Sequence, residues 1–370
     1  MRVLLAGLTT RAAAESALRA GVDVVTVDHF GDLDQKRLCE NVSLRERGER
    51  YSAAAILAAA RGVRADAVAY VGGLENHPDV VAELARDREL LGNPPEALRR
   101  VRDPGVLFPF LAGRGFAVPA IVRAGERLPA GGRWLTKPER GGGGQGVRHW
   151  RGEQPLPPGR MLQALVDGVP GSAMFVADGR RATVLGWSEA LHAPGSFRYG
   201  GNLFPFPGPA AAAEEAQALA AALAAEFGLR GANGFDFVLA DGRPVLVEVN
   251  PRYCASMELF DRATDASVFA YHLAACRGEL PAPARPAPGA WGKAIVYAPA
   301  RLRVGDTRDW PERGIRDVPH PGEVIRRGHP VCTVLAGAAD RVACRAALCR
   351  AEADVLAAVR RPRRGRRGPP

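Results

Sequence analysis

The chain has 370 residues, 47% hydrophobic and 6% aromatic, with 43 glycines, 30 prolines and a formal net charge of +10. That is enough apolar residue for two or three cores. No run of eighteen apolar residues suits a membrane span, and the first residues enter a strand pattern instead of a signal h-region, so a cytoplasmic protein without membrane partners is expected. Six of the positive charges, Arg360, Arg361, Arg363, Arg364, Arg366 and Arg367, fall in a Pro/Gly-rich tail at 360–370 that is expected to be disordered. The remainder carries too few aromatics for a nucleic-acid face. Cys39, Cys254, Cys276, Cys332, Cys344 and Cys349 form no Cys-x-x-Cys pair, so free thiols are expected.

In chain order, Val3-Leu4-Leu5-Ala6-Gly7 predicts a short buried strand, Thr9 to Ala20 a helix, and Val24 to Asp28 a second strand. This is a β-α-β unit, but its turn lacks Gly-x-Gly-x-x-Gly, so Asp28 is not expected to serve a nicotinamide ribose. Asp66 to Val71 predicts a further strand, and Gly72-Gly73-Leu74-Glu75-Asn76-His77-Pro78 lies at its C-terminal end, where open parallel sheets bind ligands. Glu75 and Asn76 are candidate walls of a substrate pocket. The competing reading is a helix cap followed by a proline in the first turn.

Arg133-Trp134-Leu135-Thr136-Lys137 predicts a strand that leads through Pro138 into Gly141-Gly142-Gly143-Gly144-Gln145-Gly146. Four adjacent glycines let backbone N–H groups close over phosphate oxygens. No Gly-Lys-Ser/Thr ends the loop, so it is not a P-loop. Of fifty basic residues only Lys36, Lys137 and Lys293 are lysine. A compact ammonium kept beside a glycine loop suits a point charge on phosphate, where the planar fork of arginine fits less well. The bland alternative is a surface hairpin.

Ala210 to Phe227 predicts a helix closed by Gly228, after which Gly234 to Leu239 alternates as a strand, Asp241-Gly242 turns, and Pro244 to Val249 returns. Glu248 and Asn250 lie two apart and project from one face, with Val247 and Val249 expected in the core. With Asp236 across the hairpin, the face offers hard oxygen ligands that suit magnesium bound to phosphate. Arg252, beyond Pro251, can reach a phosphate or carboxylate bidentately. Cys254 reads as a small pocket-wall residue ahead of a nucleophile.

Lys137-Pro138 before the glycine loop, Asp236 on one strand and Glu248-x-Asn250-Pro-Arg252 on the next resemble the ATP-grasp superfamily, over about residues 1–280. The resemblance implies a triphosphate of ATP under a lid formed by Gly142, Gly143, Gly144, Gln145 and Gly146, with Lys137 on phosphate. It makes Asp236, Glu248 and Asn250 ligands of one or two Mg2+ ions, Mn2+ being an alternative, and Arg252 a charge clamp. Met161 to Gly168 is similar to the family's adenine hinge, with backbone near Ala164 and Leu165 reading the base. Gln163 stands where a glutamate is usual, and Asp167 is the nearest candidate for the ribose. The family's earlier lysine has no counterpart, and Arg102 stands nearest. Thr10-Arg11, Val27 to Asp34 and Arg198-Tyr199-Gly200-Gly201-Asn202 resemble a group of predicted carboligases, some of which accompany the one-carbon coenzymes methanopterin and methanofuran. That adds Arg198, Tyr199 and Gly200 to the substrate candidates.

The implied fold is α/β (α+β): a Rossmann-like domain at 1–98, an ATP-grasp domain at 99–280 of two α+β subdomains split near 160, a proline-rich linker at 281–290, and a β-rich segment at 291–359. In that last segment His320 to Val334 has the cadence of the barrel of biotin-dependent carboxylases and lipoyl-type hammerheads, but no lysine follows Lys293, so it carries no biotin. Lys293 is expected at the surface. The expected reaction joins a small-molecule carboxylate to an amine through an acyl phosphate, with a second copy of the chain as the expected protein partner. Carboxylation through carboxyphosphate and a non-catalytic ATP-binding role are the alternatives.

Overall fold

The computed structural model describes residues 1–127, 130–152, 155–280 and 282–360. Pro281 of the expected linker and residues 361–370 of the expected tail lie outside them. The N-terminal part is a parallel sheet in the order β3-β2-β1-β4-β5, with β1 Arg2–Ala6, β2 Asp23–Asp28, β3 Glu40–Ser43, β4 Ala67–Tyr70 and β5 Glu89–Leu90. Helices α1 Arg11–Arg19, α2 Leu33–Leu38, α3 Ala53–Ala60 and α4 Pro78–Leu84 connect the strands. Val3, Leu4, Leu5 and Ala6 are fully buried, as a continuous apolar run between two covered faces requires. Thr10 precedes α1 without capping it, because its hydroxyl donates to Asp28 Oδ2 at 2.8 Å. Asp28 also accepts the Gly31 N–H at 2.9 Å, so this acid closes the loop after β2.

Helices α5 Pro95–Val101 and α6 Pro104–Gly113 lead to an antiparallel sheet in the order β6-β9-β7-β8, with β6 Ile121–Arg123, β7 Trp134–Pro138, β8 Arg148–His149 and β9 Arg160–Ala164. A second antiparallel sheet follows, of seven strands in the order β14-β13-β10-β11-β12-β15-β18. Its first members are β10 Val169–Asp178, β11 Ala182–His192, β12 Tyr199–Phe204, β13 Arg230–Ala240 and β14 Arg243–Asn250. Helix α7 Ala210–Phe227 buries Leu219, Leu223 and Phe227 against this sheet together with α5 and α6. Helices α8 Met257–Ala263 and α9 Val268–Cys276 pack between the sheet and α1. No helix among the described residues is long and apolar enough to cross a membrane.

The C-terminal segment differs from the separate barrel that its sequence cadence suggests. Strand β15 Ala290–Tyr297 pairs with β12 and β18 Pro330–Ala338 pairs with β15, so both extend the large sheet. Without them β12 would present an open edge. The short β16 Leu302–Arg303 and β17 Val324–Ile325 form a ribbon, and α10 Arg341–Arg360 covers β15 and β18. The His320-Pro-Gly-Glu phrase makes no barrel strand, because it docks on the N-terminal part: the His320 ring lies 2.8 Å from the Gly31 carbonyl and Glu323 pairs with Arg45.

The parts of the chain are joined by buried charge. Arg11, 1% exposed, donates to both carboxylate oxygens of Glu258 on α8, to Glu15 at 2.9 Å and to Asp317 at 3.0 Å. Asp34 accepts the N–H groups of Asp317 and Val318 at 3.0 and 2.9 Å. Burial opposes the charge of Glu258, but Arg11 and Lys293 hold its carboxyl well below the usual range. Arg11→Met strands Glu258 and Asp317, so it should lower the unfolding free energy by about 3–5 kcal/mol. Urea denaturation measures this, and a loss under about 1 kcal/mol would mean that the cluster contributes nothing beyond surface pairs.

His272 on α9 is buried, and its Nδ1 accepts the Ala232 N–H at 2.8 Å, fixing α9 on β13. Burial pushes its pKa down to about 4. Lowering the folded value below the unfolded one near 6.5 means that stability is complete above that pH and is lost as pH falls toward 4. The contribution is of order 3 kcal/mol. His272→Gln should therefore show a shallower loss of stability between pH 7 and 4.5 than the wild type, and equal slopes would contradict the assignment.

Candidate active site

Asp236 on β13 stands directly opposite Glu248 on β14, so both carboxylates project from one face. One step on, the register slips: Phe237 faces Leu246, leaving Val247 as the extra residue of a bulge. The slip turns Val247 out of the core, where the period of two put it, and onto the wall of a narrow cleft, while Leu246 and Val249 stay buried. Asp236 accepts from Ser172 at 2.5 Å and from the Asn250 side-chain amide at 2.9 Å. The Asn250 oxygen in turn accepts from Arg252 at 2.9 Å.

Three cations face this pair. Lys137, at the end of β7, lies 3.7 Å from Glu248 Oε2. Arg102 donates to Glu248 Oε1 and to the Val249 carbonyl, both at 2.7 Å. Arg252 pairs with Glu75 at 3.2 Å, and Glu75, only 2% exposed, also accepts the Gly73 N–H at 2.5 Å. The acids are held apart electrostatically. Burial, then repulsion from Glu248, raises the Asp236 carboxyl above its ordinary value. Burial would raise Glu248 as well, but Arg102 and then Lys137 hold it below.

The glycine loop lies over the cleft and is tied at both ends. The Gly141 carbonyl accepts from Arg102 at 2.7 Å and from Asn76 at 3.2 Å. The Gly143 carbonyl accepts the Tyr199 N–H at 2.9 Å, and the Gly146 carbonyl accepts from Arg160 at 2.6 Å. At Gly144 φ is +67°, and a Cβ there would collide with the Phe197 carbonyl, so only glycine fits. Gly142, Gly144 and Gln145 line the cleft with Lys137 and Glu248.

Other expected residues sit differently. The N–H groups of Ala164 and Leu165 are already donated to the carbonyls of Ala120 and Arg133, both at 2.8 Å, so they are not free to read a base. Gln163 is buried with its amide on the Val247 carbonyl at 3.3 Å, and Asp167 pairs with Arg133 on the exposed surface. Of Met161 to Gly168, Met161 reaches the cleft. Arg198 donates to the Gly328 carbonyl at 2.7 Å and lies over the Tyr297 ring at 4.4 Å, so it faces the C-terminal segment. Tyr199 seats the glycine loop through Gly143, and the buried Gly200 packs against the backbone of His192 and Ala193. Burial pushes the Cys254 thiol up to about 12, which keeps it protonated, and it packs behind the cleft on the Arg252 carbonyl instead of lining it. Lys293, expected at the surface, is 4% exposed and donates to Glu258 at 2.6 Å, because its strand is interior to the extended sheet.

Sequence reasoning passed over Ser172 and Glu258. Ser172 carries no motif, but Glu258 could have been flagged as an acid that an apolar helix must pair.

Residues 105–256 match the family described as ATP-grasp domain. A curated relative, an uncharacterized protein of Methanocaldococcus jannaschii, is 27% identical over 111 residues, covering 30% of this chain and 27% of the relative. The match thus spans about a quarter of that relative's length. Among solved structures, a carboxyaminoimidazole ribonucleotide synthase of Aspergillus clavatus complexed with ATP superposes with a TM-score of 0.73 at 16% identity, over 97% of this chain and 99% of that one. A biotin carboxylase of Campylobacter jejuni gives 0.71 at 16% over 94% and 89%, and an L-amino acid ligase of Bacillus licheniformis 0.69 at 16% over 95% and 96%. At these identities the likeness establishes the fold.

Arg102 ties the glycine loop to Glu248, so Arg102→Met should free the loop. Amide exchange across residues 141–146 should rise by about an order of magnitude or more while the β13–β14 hairpin keeps its protection. Unchanged exchange in the loop would mean that Asn76, Tyr199 and Arg160 hold it without Arg102.

Proposed function

Starting from the ATP-grasp domain that this chain carries, we propose that it is an ATP-dependent, ADP-forming ligase that activates a carboxylate as an acyl phosphate and joins it to an amine. The observation that carries this reading is the convergence of Lys137, Arg102 and Arg252 on the Asp236–Glu248 pair beneath a glycine loop. Cations surround the place where phosphoryl charge would spread, and no protein nucleophile is needed. The finer part of the proposal is an amino acid such as glutamate as the amine, and as the carboxylate a coenzyme precursor of the methanopterin or methanofuran type. It rests on the resemblance of Thr10-Arg11, Val27 to Asp34 and Arg198 to Asn202 to predicted carboligases.

Asp236, Glu248 and Asn250 fit a magnesium or manganese ion by chemistry, being hard oxygen donors on one face. Among the described residues no group of three or more His, Cys, Asp or Glu side chains is arranged to hold a metal. When bound, such an ion offsets charge on the transferring phosphoryl group. Lys137 would orient the phosphates, and Gly142, Gly143, Gly144, Gln145 and Gly146 would cover them and exclude water from the acyl phosphate. Of the hinge residues Met161, Gln163, Ala164 and Leu165, Met161 would border the base, since it is the one that lines the cleft, and Asp167 would have to leave Arg133 to reach the ribose. Arg252, paired with Glu75, would hold the carboxylate whose oxygen attacks the γ-phosphorus, with Asn76 beside it only through Arg102 and the Gly141 carbonyl. The bond to the bridging oxygen of ADP then breaks. The amine next adds to the acyl carbon, phosphate leaves, and the amine proton departs with it.

Likeness to a biotin carboxylase over 94% of the chain favours one second reading, in which bicarbonate is the carboxylate and the intermediate is carboxyphosphate. A screen of ADP release against pairs of carboxylates and amines tests the ligase. Phosphate release that requires only bicarbonate would select the second reading, and ATP binding without turnover would leave a regulatory protein. In an active pair, Glu248→Gln should keep the fold and lower turnover by roughly a hundredfold or more. Near-normal release would remove Glu248 from the metal site.

A further inference from the structure

Lys293 is one of three lysines in a chain that otherwise uses arginine, and it has no surface to serve. It lies in β15 opposite Asn202 of β12, a fully buried residue whose amide donates to Ser188 at 3.0 Å and accepts from the Tyr199 hydroxyl. Its Nζ donates to the Ala255 carbonyl at 3.2 Å and to Glu258 Oε2 at 2.6 Å. Those acceptors bracket the turn that runs from Arg252 into α8. Within the turn, the Cys254 N–H goes to a weak acceptor, the Met257 sulfur at 3.2 Å, and the Met257 N–H returns to the Cys254 carbonyl at 3.1 Å. The far end is fixed through Glu258 by Arg11 of the N-terminal part. Arg252 is thus held at its tip by Glu75 and Asn250, and at its backbone by a turn that a lysine from a distant strand grips.

Resting on the reading of Arg252 as the carboxylate clamp, we propose that Lys293 is a positioning residue that sets Arg252 by gripping the turn 252–258. Lys137, Arg102 and the glycine loop are anchored through other partners. The effect of Lys293 therefore falls on the acceptor half of the site and leaves nucleotide binding alone. A displacement of the turn by a fraction of an ångström misplaces a guanidinium that must meet a reacting carboxylate in one orientation. Arginine would not replace it: the site is closed, and two acceptors on one side suit a compact ammonium better than a planar fork.

The test uses the full chain and Lys293→Met, with two readouts. In amide exchange without substrates, residues 253–257 should lose protection by about tenfold or more while 141–146 and the β13–β14 hairpin stay as in the wild type. Unchanged exchange, or a uniform rise, overturns the proposal. In steady-state ADP release, kcat should fall by about tenfold with the KM for ATP within about twofold, and the double variant Arg252→Ala with Lys293→Met should be no slower than Arg252→Ala alone. Multiplying losses, or a raised KM for ATP, also overturns it. A wild type that releases no ADP with any carboxylate defeats the ligase reading, while the exchange readout still decides the positioning. Should Lys293→Met not fold, Lys293→Gln, which keeps one donor, takes its place in both.

Discussion

A carboxylate as deeply buried as Glu258 is tolerated only with its counter-charges in contact, and this requirement fixes how the chain is assembled. Its partners come from α1, from β15 and from the next turn of its own helix, through Arg11, Lys293 and Arg262. Arg11 in turn needs Asp317, and Asp317 brings the C-terminal segment back onto the first turn of α2 at Asp34. Segments more than three hundred residues apart thereby meet at one guanidinium. Because α8 follows directly from the turn after Arg252, the same charges that join the parts also fix the chain next to that arginine.

The cleft repeats this logic nearer to solvent. Two acids face each other across one rung of a hairpin, and their surroundings push them in opposite directions: Asp236 up through burial and the repulsion of Glu248, Glu248 down through Arg102 and Lys137. The bulge beside them does a second job. By inserting Val247 it supplies an apolar wall to the cleft and a carbonyl for Gln163, so one extra residue shapes both the acid pair and the space next to it. Glu75 completes the arrangement by giving Arg252 a carboxylate from the N-terminal part, so the clamp sits across a junction instead of within one sheet.

What was legible in the sequence follows the range of the interactions involved. The hairpin from Gly234 to Val249 could be read because its turn and alternation are local, but the regular register from that turn would set Asp236 opposite Val247, and only the bulge brings Glu248 there. Helix α7 and its glycine stop, the strand before Lys137 and the β-α-β start were legible for the same reason. The bulge was not, because a slip in register leaves the alternation of residue types unchanged until the partner strand is known. The fate of the C-terminal strands depends on an edge of β12 formed ninety residues earlier, and the burial of Lys293 depends on that pairing. The hinge failed on a finer point: its backbone donors are consumed by Ala120 and Arg133, neighbours that periodicity does not reveal.

Arg102 spans two objects that must change together, the carboxylate of Glu248 and the carbonyl of Gly141. Whatever takes the oxygens of Glu248 competes with Arg102 for them, and whatever moves Arg102 alters the tether of the glycine loop. The two events are therefore thermodynamically linked: occupancy at the acid pair biases the loop, and a loop held down or lifted biases occupancy by the same free energy, commonly ~1–3 kcal/mol for such couplings. The loop needs no separate sensor of what lies beneath it, since one guanidinium already reads both states and Asn76, bonded to its Nε, holds it at the crossing point.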